Sequence, residues 1–366
     1  MPNVGKSTFF QTLTKCSLGN PANFPYATIE PEESQVAVPD ERFDWLCNHF
    51  KPPSKIPASL KVFDIAGLTK GASTGAGLGN AFLSHVRAVD AMFQMVRAFD
   101  DAEIIHVEGD VDPIRDLTII SDELRIKDME FVGAHIERLK KETARGGTVS
   151  LEVKAKLAEL DVANRVLKCL EDGKDVRKGS WNSKDVDVIN TFLLLTAKPV
   201  VYLVNLSERD YIRQKNKYLP KIKAWVEENN PGDPIIPISV SMEERLTRMT
   251  DAQAGEELTR LGTKSILPKI VKAGYAALEL QYYFTCGEDE VRAWTIRKGT
   301  KAPAAAGVIH SDFEKNFVCG EIMNFDDLKE AGSEAGVKAA GKVQMKGKDY
   351  ILRDGDICFW KSGRAK

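Results

Sequence analysis

At 366 residues, 43% hydrophobic and 28% charged, the chain has the length for two or three domains and ample apolar material for their cores. A net charge of −2 gives no whole-molecule pull toward nucleic acid or membrane, so any such binding has to be local. The six cysteines are scattered without a C-x-x-C pair or metal-ligand spacing and without a secretory signal, and the most apolar stretch, Phe192 to Leu206, is broken by Lys198-Pro199. This excludes a disulfide scaffold and a transmembrane helix and points to reduced thiols in the cytoplasm.

The chain opens on Met1-Pro2-Asn3-Val4-Gly5-Lys6-Ser7-Thr8, which runs into Phe9, Phe10 and Leu13. Gly-Lys-Ser-Thr leading into a helix is the second half of a phosphate-binding P-loop. Consecutive backbone N–H groups from Asn3 to Thr8 and the helix N-terminus would form an anion cradle. Gly5 lets the backbone come close to the phosphates, Lys6 reaches the β- and γ-phosphates, and the Ser7 hydroxyl ligates Mg²⁺. By itself the motif reads equally well as an accidental surface turn. Its first Gly and the strand before it would fall ahead of Met1. The chain as written is therefore expected to be loosely folded around Asn3 to Thr8 and to bind nucleotide weakly. A short or misassigned start is preferred to a variant that dispenses with the strand, and a version extended upstream is expected to recover both properties.

Asn23-Phe24-Pro25-Tyr26-Ala27-Thr28-Ile29-Glu30-Pro31 carries two prolines and reads as an extended loop. In a P-loop switch protein this is switch I, and Thr28 is the hydroxyl placed to close on Mg²⁺ and the γ-phosphate. Leu60, Val62, Phe63 and Ile65 mark a strand ending in Asp64-Ile65-Ala66-Gly67. A D-x-x-G there is the switch II element: Asp64 holds Mg²⁺ directly or through water, and the Gly67 N–H senses the γ-phosphate. Leu68 stands where Ras-like enzymes carry the Gln that orients the attacking water. Gly71 to Gly79 is a glycine-rich loop, Ala81 to Val89 reads as helix and Ala91 to Phe99 as a buried strand. Ile104-Ile105-His106-Val107 follows in a loop.

From Asp112-Pro113, a cap plus first-turn proline, Ile114, Leu117, Ile120 and Leu124 repeat at helical spacing toward Ile136 and Leu139. Arg145-Gly146-Gly147-Thr148 breaks the pattern. A second helix then carries Val153, Leu157, Leu160, Ala163, Leu167 and Leu170 on one stripe. Two charged helices joined by a Gly-Gly turn predict an antiparallel coiled-coil arm, which is either purely structural or, as projecting hairpins more often are, a contact surface. Asn182-Ser183 caps a helix bearing Val186, Ile189, Phe192 and Leu193. Pro199 to Val204, leading to Asn205-Leu206-Ser207-Glu208, and Ile235 to Ile238 read as parallel strands buried on both faces. The result is a doubly wound α/β sheet with its ligand loops at the strands' carboxyl ends. From Gln281 the runs Tyr282 to Phe284, Val291 to Ile296, Phe317 to Cys319 and Tyr350 to Leu352 suggest a small α+β module. Arg292, Arg297, Lys298 and Lys301 surround Trp294 in it, a pattern that solvated strand ends also produce.

Taken together, these motifs resemble the Obg-like ATPases of the YchF type within the P-loop GTPase-fold proteins. The resemblance covers essentially the whole chain and includes Gly299-Thr300-Lys301-Ala302-Pro303 and Gly307 to Lys315. It implies a P-loop nucleotide domain in two parts (1–111 and 197–280), an inserted coiled-coil arm (112–196) and a C-terminal TGS module of β-grasp fold (281–364). It also implies ATP over GTP. Guanine-specific relatives use N-K-x-D, whereas here Leu206 replaces the Lys and Glu208 the Asp, which misplaces the guanine fork. Asn205 is left to hydrogen-bond the adenine amino edge. The expected activity is Mg²⁺-dependent cleavage of the β–γ bond of ATP, slow because Leu68 cannot polarise water. The family resemblance assigns His106 to take over that task, while a satisfied loop histidine is the plainer reading. The resemblance further implies contact with the ribosome or an RNA–protein surface through the arm and the TGS module. The alternatives are a GTPase of the same fold, or a nucleotide-gated ribosome- or RNA-binding protein with negligible turnover.

Overall fold

The computed structural model describes residues 1–15, 33–65, 86–101, 106, 109–144 and 150–363. The chain forms two compact units, Met1–Lys6 with Ile65–Met242, and Ser7–Asp64 with Glu243–Lys366. In chain order the strands are β1 (Glu33–Ala37), β2 (Ser54–Ile56), β3 (Ser59–Phe63), β4 (Met92–Arg97), β5 (Val200–Asn205), β6 (Ile235–Ile238), β7 (Leu280–Cys286), β8 (Glu290–Arg297), β9 (Phe317–Met323), β10 (Gln344–Lys346) and β11 (Ile357–Ser362). The helices labelled below are α1 (Lys6–Lys15), α2 (Glu41–Phe50), α3 (Pro113–Ala144), α4 (Leu151–Glu171), α5 (Ser183–Phe192) and α6 (Glu208–Arg213).

The first unit is built on the parallel sheet β4-β5-β6, with Met92 opposite Val200 and Asn205 opposite Ile238. Every residue of β5 is buried, as its unbroken apolar run requires. Val96, Val200, Tyr202 and Val204 pack with Leu117 of α3 and with Ile222 and Val226 of the helix Leu219–Asn229. Each such side chain taken from water contributes about 1.5–3 kcal/mol. The strands' carboxyl ends, at Arg97, Asn205 and Ile238, are where a ligand loop can be seated.

Asp112 starts α3 by accepting hydrogen bonds from the Ile114 and Arg115 amides at 3.1 and 3.2 Å, with Pro113 in the first turn. The 32 residues of α3 run antiparallel to the 21 of α4. Arg125 reaches the Gly173 carbonyl, His135 meets Glu159 and Glu142 meets Lys156, a falling register against a rising one. The buried seam is Val132 and Ile136 against Val162, Ala163, Val166 and Leu170. This differs from the expected stripe: Leu157 is 47% exposed, and Leu160 and Leu167 are only partly buried. Steps of three and four fit two neighbouring helical frames, and the frame facing α3 takes Val162 and Val166. Asn182 caps α5 as expected, and the structure adds a capping box with Asp185, but Leu193 is the helix C-cap, left-handed at φ 51° and 55% exposed. Among the described residues no helix is long and apolar enough to cross a membrane.

The second unit holds the antiparallel pair β1-β3 and a mixed six-stranded sheet in the order β10-β9-β11-β7-β8-β2. One face of the larger sheet packs Tyr283, Ile296, Phe317 and Ile322 against Ala302, Ala305 and Ala306 of the helix Ala302–Gly307. Its edge strand β2 comes from far upstream and pairs parallel with β8. Helix α2 travels with it: Asp40 caps α2 and accepts from the Tyr282 hydroxyl, while Arg42 bridges to Asp354 at 2.8 Å. Tyr350 to Leu352 is not a strand, apart from a single bridge between Ile351 and Lys301. The Asp356 carboxylate instead ties this stretch into a turn, accepting from the Tyr350 hydroxyl at 2.8 Å and the Arg353 amide at 2.9 Å, and β11 begins after it.

Candidate functional site

Met1 to Gly5 form a tight loop that passes into α1 at Lys6. Asn3 and Gly5 take positive φ values of 56° and 95°, with Val4 between them on the ordinary side. That alternation is how successive amides are turned into an anion-binding nest. Val4 is 1% exposed and anchors the loop from below. The Lys6 ammonium donates to the Met1 carbonyl at 2.8 Å, so its side chain is folded back over the loop it serves.

The loop is fastened to the end of β5 by one side chain. Asn205, 5% exposed, donates through Nδ2 to the Val4 carbonyl at 3.1 Å and accepts through Oδ1 from the Val240 amide at 3.1 Å. A Cβ on Gly5 would lie 2.7 Å from Asn205 Nδ2, so this position excludes a side chain by contact as well as by its φ. Each of these buried bonds is worth about 0.5–1.5 kcal/mol, and a group left unpaired there would cost about 1–3 kcal/mol. Asn205 thus braces three loops at the carboxyl edge of the sheet. The chain after it is held too, as Asn216 Nδ2 donates to the Ala98 carbonyl and to Asp210 Oδ2, both at 2.8 Å.

Leu206 is 2% exposed and lies in the apolar cluster of Val96, Val204 and Ile222, its amide donating to the Ile238 carbonyl at 2.8 Å. Ser207 then caps α6, accepting from the Asp210 amide at 3.2 Å, which puts Glu208 at the first helical position. No cationic chain stands where a guanine-reading Lys would, because a Leu in that place joins the core.

His106 turns inward. Its Nε2 lies 2.8 Å from Asp116 Oδ2 in the first turns of α3, and the two side chains are 2% and 5% exposed. The Gly109 amide, at φ 92°, donates to the His106 carbonyl at 3.0 Å. Ser7 and Thr8 occupy the first turn of α1, with Ser7 exposed. Asp64 directly follows β3 and is half-buried. Thr28, Gly67, Leu68 and the glycine-rich loop lie outside the described residues, as do the neighbours of His106 at 102–105 and 107–108.

The structure therefore brings Val4, Gly5 and Asn205 together and adds Val240, which sequence reasoning did not single out. The signal for it was present: Ser239-Val240-Ser241 follows β6 at the sheet's carboxyl edge, where such loops belong.

The described residues expected to hold a metal, Ser7 through its hydroxyl and Asp64 through its carboxylate, both offer hard oxygens. That set suits Mg²⁺, which keeps several waters and takes few protein ligands, and does not suit a thiol- or imidazole-preferring ion.

Residues 1–130 match the family described as 50S ribosome-binding GTPase, and residues 280–363 match the C-terminal family of YchF GTPases, described as a protein of unknown function. The chain is 66% identical over 365 residues to Obg-like ATPase 1 of Schizosaccharomyces pombe, covering 100% of this chain and 93% of that protein. It is 58% identical over 367 residues to Obg-like ATPase 1 of Saccharomyces cerevisiae, covering 100% and 93%. With Obg-like ATPase 1 of Gallus gallus it shares 55% over 363 residues, covering 99% and 90%. Among solved structures, that of the Schizosaccharomyces pombe YchF GTPase superposes with a TM-score of 0.89 at 66% identity, covering 99% of this chain and 96% of that one.

Proposed function

The chain belongs to the Obg-like ATPase (YchF) family of P-loop proteins, and from that premise we propose that it is a Mg²⁺-dependent ATPase that works as a nucleotide-controlled switch in the cytoplasm. The observation that carries the nucleotide reading is the brace of Asn205 on Val4 and Val240, which holds the Gly5 loop rigid at the sheet's carboxyl edge. A preorganised loop costs nothing to arrange when phosphate arrives, which is where most phosphoryl-transfer catalysis resides. Asn3 to Thr8 receive the phosphates. Lys6 exchanges the Met1 carbonyl for phosphate oxygens and neutralises charge as the β–γ bond breaks. Ser7 and Asp64, with Thr28, would hold Mg²⁺, which when bound would supply positive charge to offset the negative charge of the phosphates. Gly67 completes the sensing of the γ-phosphate.

The buried Leu206 supports ATP over GTP, since N-K-x-D readers lay a Lys chain along guanine at that place. Glu208, one methylene longer than the Asp of that motif, supports the same choice. The 280–363 module is read as a TGS domain and, with the α3–α4 arm, as the surface that meets a ribosome or RNA–protein partner. The family description of residues 1–130 as a ribosome-binding GTPase supports that direction. Turnover of ATP and GTP with Mg²⁺ and with EDTA tests the activity. Release of phosphate from ATP that stops with EDTA is expected, and turnover of neither nucleotide would overturn the reading.

His106 has two roles open to it. As a water-placing group it must leave Asp116. Its burial against Asp116 favours anchoring the loop to α3 instead. His106→Ala separates them. A water-placing role lowers turnover at saturating ATP while leaving affinity and melting temperature nearly unchanged. An anchoring role lowers the melting temperature, because Asp116 would be left buried without its partner.

A further inference from the structure

We infer that Asn216 is a positioning residue for base selection: it closes the excursion of chain that carries Leu206 and Glu208 and so fixes where those two residues stand. This deepens the preference for ATP over GTP proposed above and rests on it. Leu206 and Glu208 lie on a stretch that leaves the sheet at the end of β5 and forms α6. It turns back at Gln214, the left-handed C-cap of that helix at φ 52°.

Both ends of this stretch are moored to one residue, Ala98, which is fully buried just past the end of β4. At the outgoing end the Ala98 amide donates to the Asn205 carbonyl at 2.9 Å. At the returning end Asn216 Nδ2 donates to the Ala98 carbonyl at 2.8 Å. Nδ2 also donates to Asp210 Oδ2 at 2.8 Å, in the first turn of α6. Asn216 Oδ1 accepts from the Tyr218 amide at 2.9 Å, where the helix Leu219–Asn229 begins. Two donors and an acceptor on so short a side chain are what asparagine offers. With both donors engaged it has none left for a base, so it acts through the residues it holds.

Helix α6 has only 6 residues, too few to hold its place by its own hydrogen bonds. The Tyr211 ring packs against the cluster of Val96, Val204 and Ile222, and Asn216 adds a polar tie from Asp210 to the end of β4. Glu208 stands at the start of the same helix, so a shift of α6 carries it along. Reading a base requires its polar partners to be held to within about 0.5 Å. A looser α6 serves the edges of both purines about equally, so discrimination falls further than phosphate binding does. The phosphate loop keeps its own fastening, the Asn205 bonds to Val4 and Val240.

Competition titration of the full chain with ATP, GTP and inorganic tripolyphosphate, each with Mg²⁺, tests this, with melting temperature recorded alongside. The variants are Asn216→Ala, Asp210→Ala and Asp210→Asn, the last of which keeps an oxygen acceptor for Asn216. Asn216→Ala is expected to narrow the preference for ATP from at least about tenfold to about threefold or less, with tripolyphosphate affinity within about twofold of the wild type. Asp210→Ala should narrow the preference part of the way, and Asp210→Asn should keep it. A wild type that prefers ATP and an Asn216→Ala chain with the same preference would overturn the inference and leave the ATP reading intact. Equal weakening of all three ligands would overturn it too, since a merely structural bond behaves in that way. Should Asn216→Ala fail to fold, Asp210→Ala carries the test, and an unchanged preference there would overturn the inference. A wild type that does not distinguish ATP from GTP would overturn the ATP reading itself, and this inference with it.

Discussion

Lys6→Ala is expected to lower ATP turnover by about 10²–10³-fold, the loss found when one preorganised charge-stabilising donor is removed from a catalytic site. Its ammonium is held over the loop by the Met1 carbonyl, 2.8 Å away, a neutral acceptor that phosphate oxygens would replace. Charge builds on those oxygens in the transition state, so the loss falls on the chemical step and more modestly on affinity. Lys6→Arg keeps the charge but spreads it over a planar fork that a loop shaped for a point charge does not seat, and it should recover little activity. Phosphate release at saturating ATP together with ATP titration reads both quantities. Lys6→Ala turnover equal to wild type would remove Lys6 from the mechanism.

The second large effect concerns base choice. Leu206→Lys combined with Glu208→Asp should move preference from ATP toward GTP by about tenfold or more, because it restores donors and acceptors that guanine can satisfy and adenine leaves unpaired. The structure adds a cost that the motif alone does not suggest. Leu206 is 2% exposed among Val96, Val204 and Ile222, so a Lys there buries an ammonium unless its chain finds the base. The double variant should melt at a lower temperature than the wild type without nucleotide and recover more with GTP than with ATP. A folded double variant that keeps the wild-type ATP preference would show that these two positions do not read the base.

Legibility in the amino-acid sequence differs from element to element. Helix α3 is readable because its cap is a discrete signal: Asp112 does bond the Ile114 and Arg115 amides. Strand β5 is readable because six consecutive buried positions leave an apolar run with no other use. The face of α4 is harder, because Leu160 and Leu167 compete with Val162 and Val166 for the same seam and only the facing helix decides. The segment Asp40–Ile56 is not legible as part of the C-terminal sheet. Its attachment depends on Arg42 meeting Asp354, 312 positions away, and on β2 pairing with β8, and neither leaves a local pattern. In the site, Gly5 and Lys6 are readable from spacing. The brace of Asn205 on Val4 and Val240 is not, because it joins three loops that only the sheet brings to one edge.

The central claim is that this loop takes ATP in preference to GTP. Competition titration of the wild-type chain with both nucleotides in the presence of Mg²⁺ tests it most directly. ATP is predicted to bind at least about tenfold more tightly, the scale on which mismatched polar groups discriminate. GTP binding as tightly as ATP, or more tightly, would contradict it.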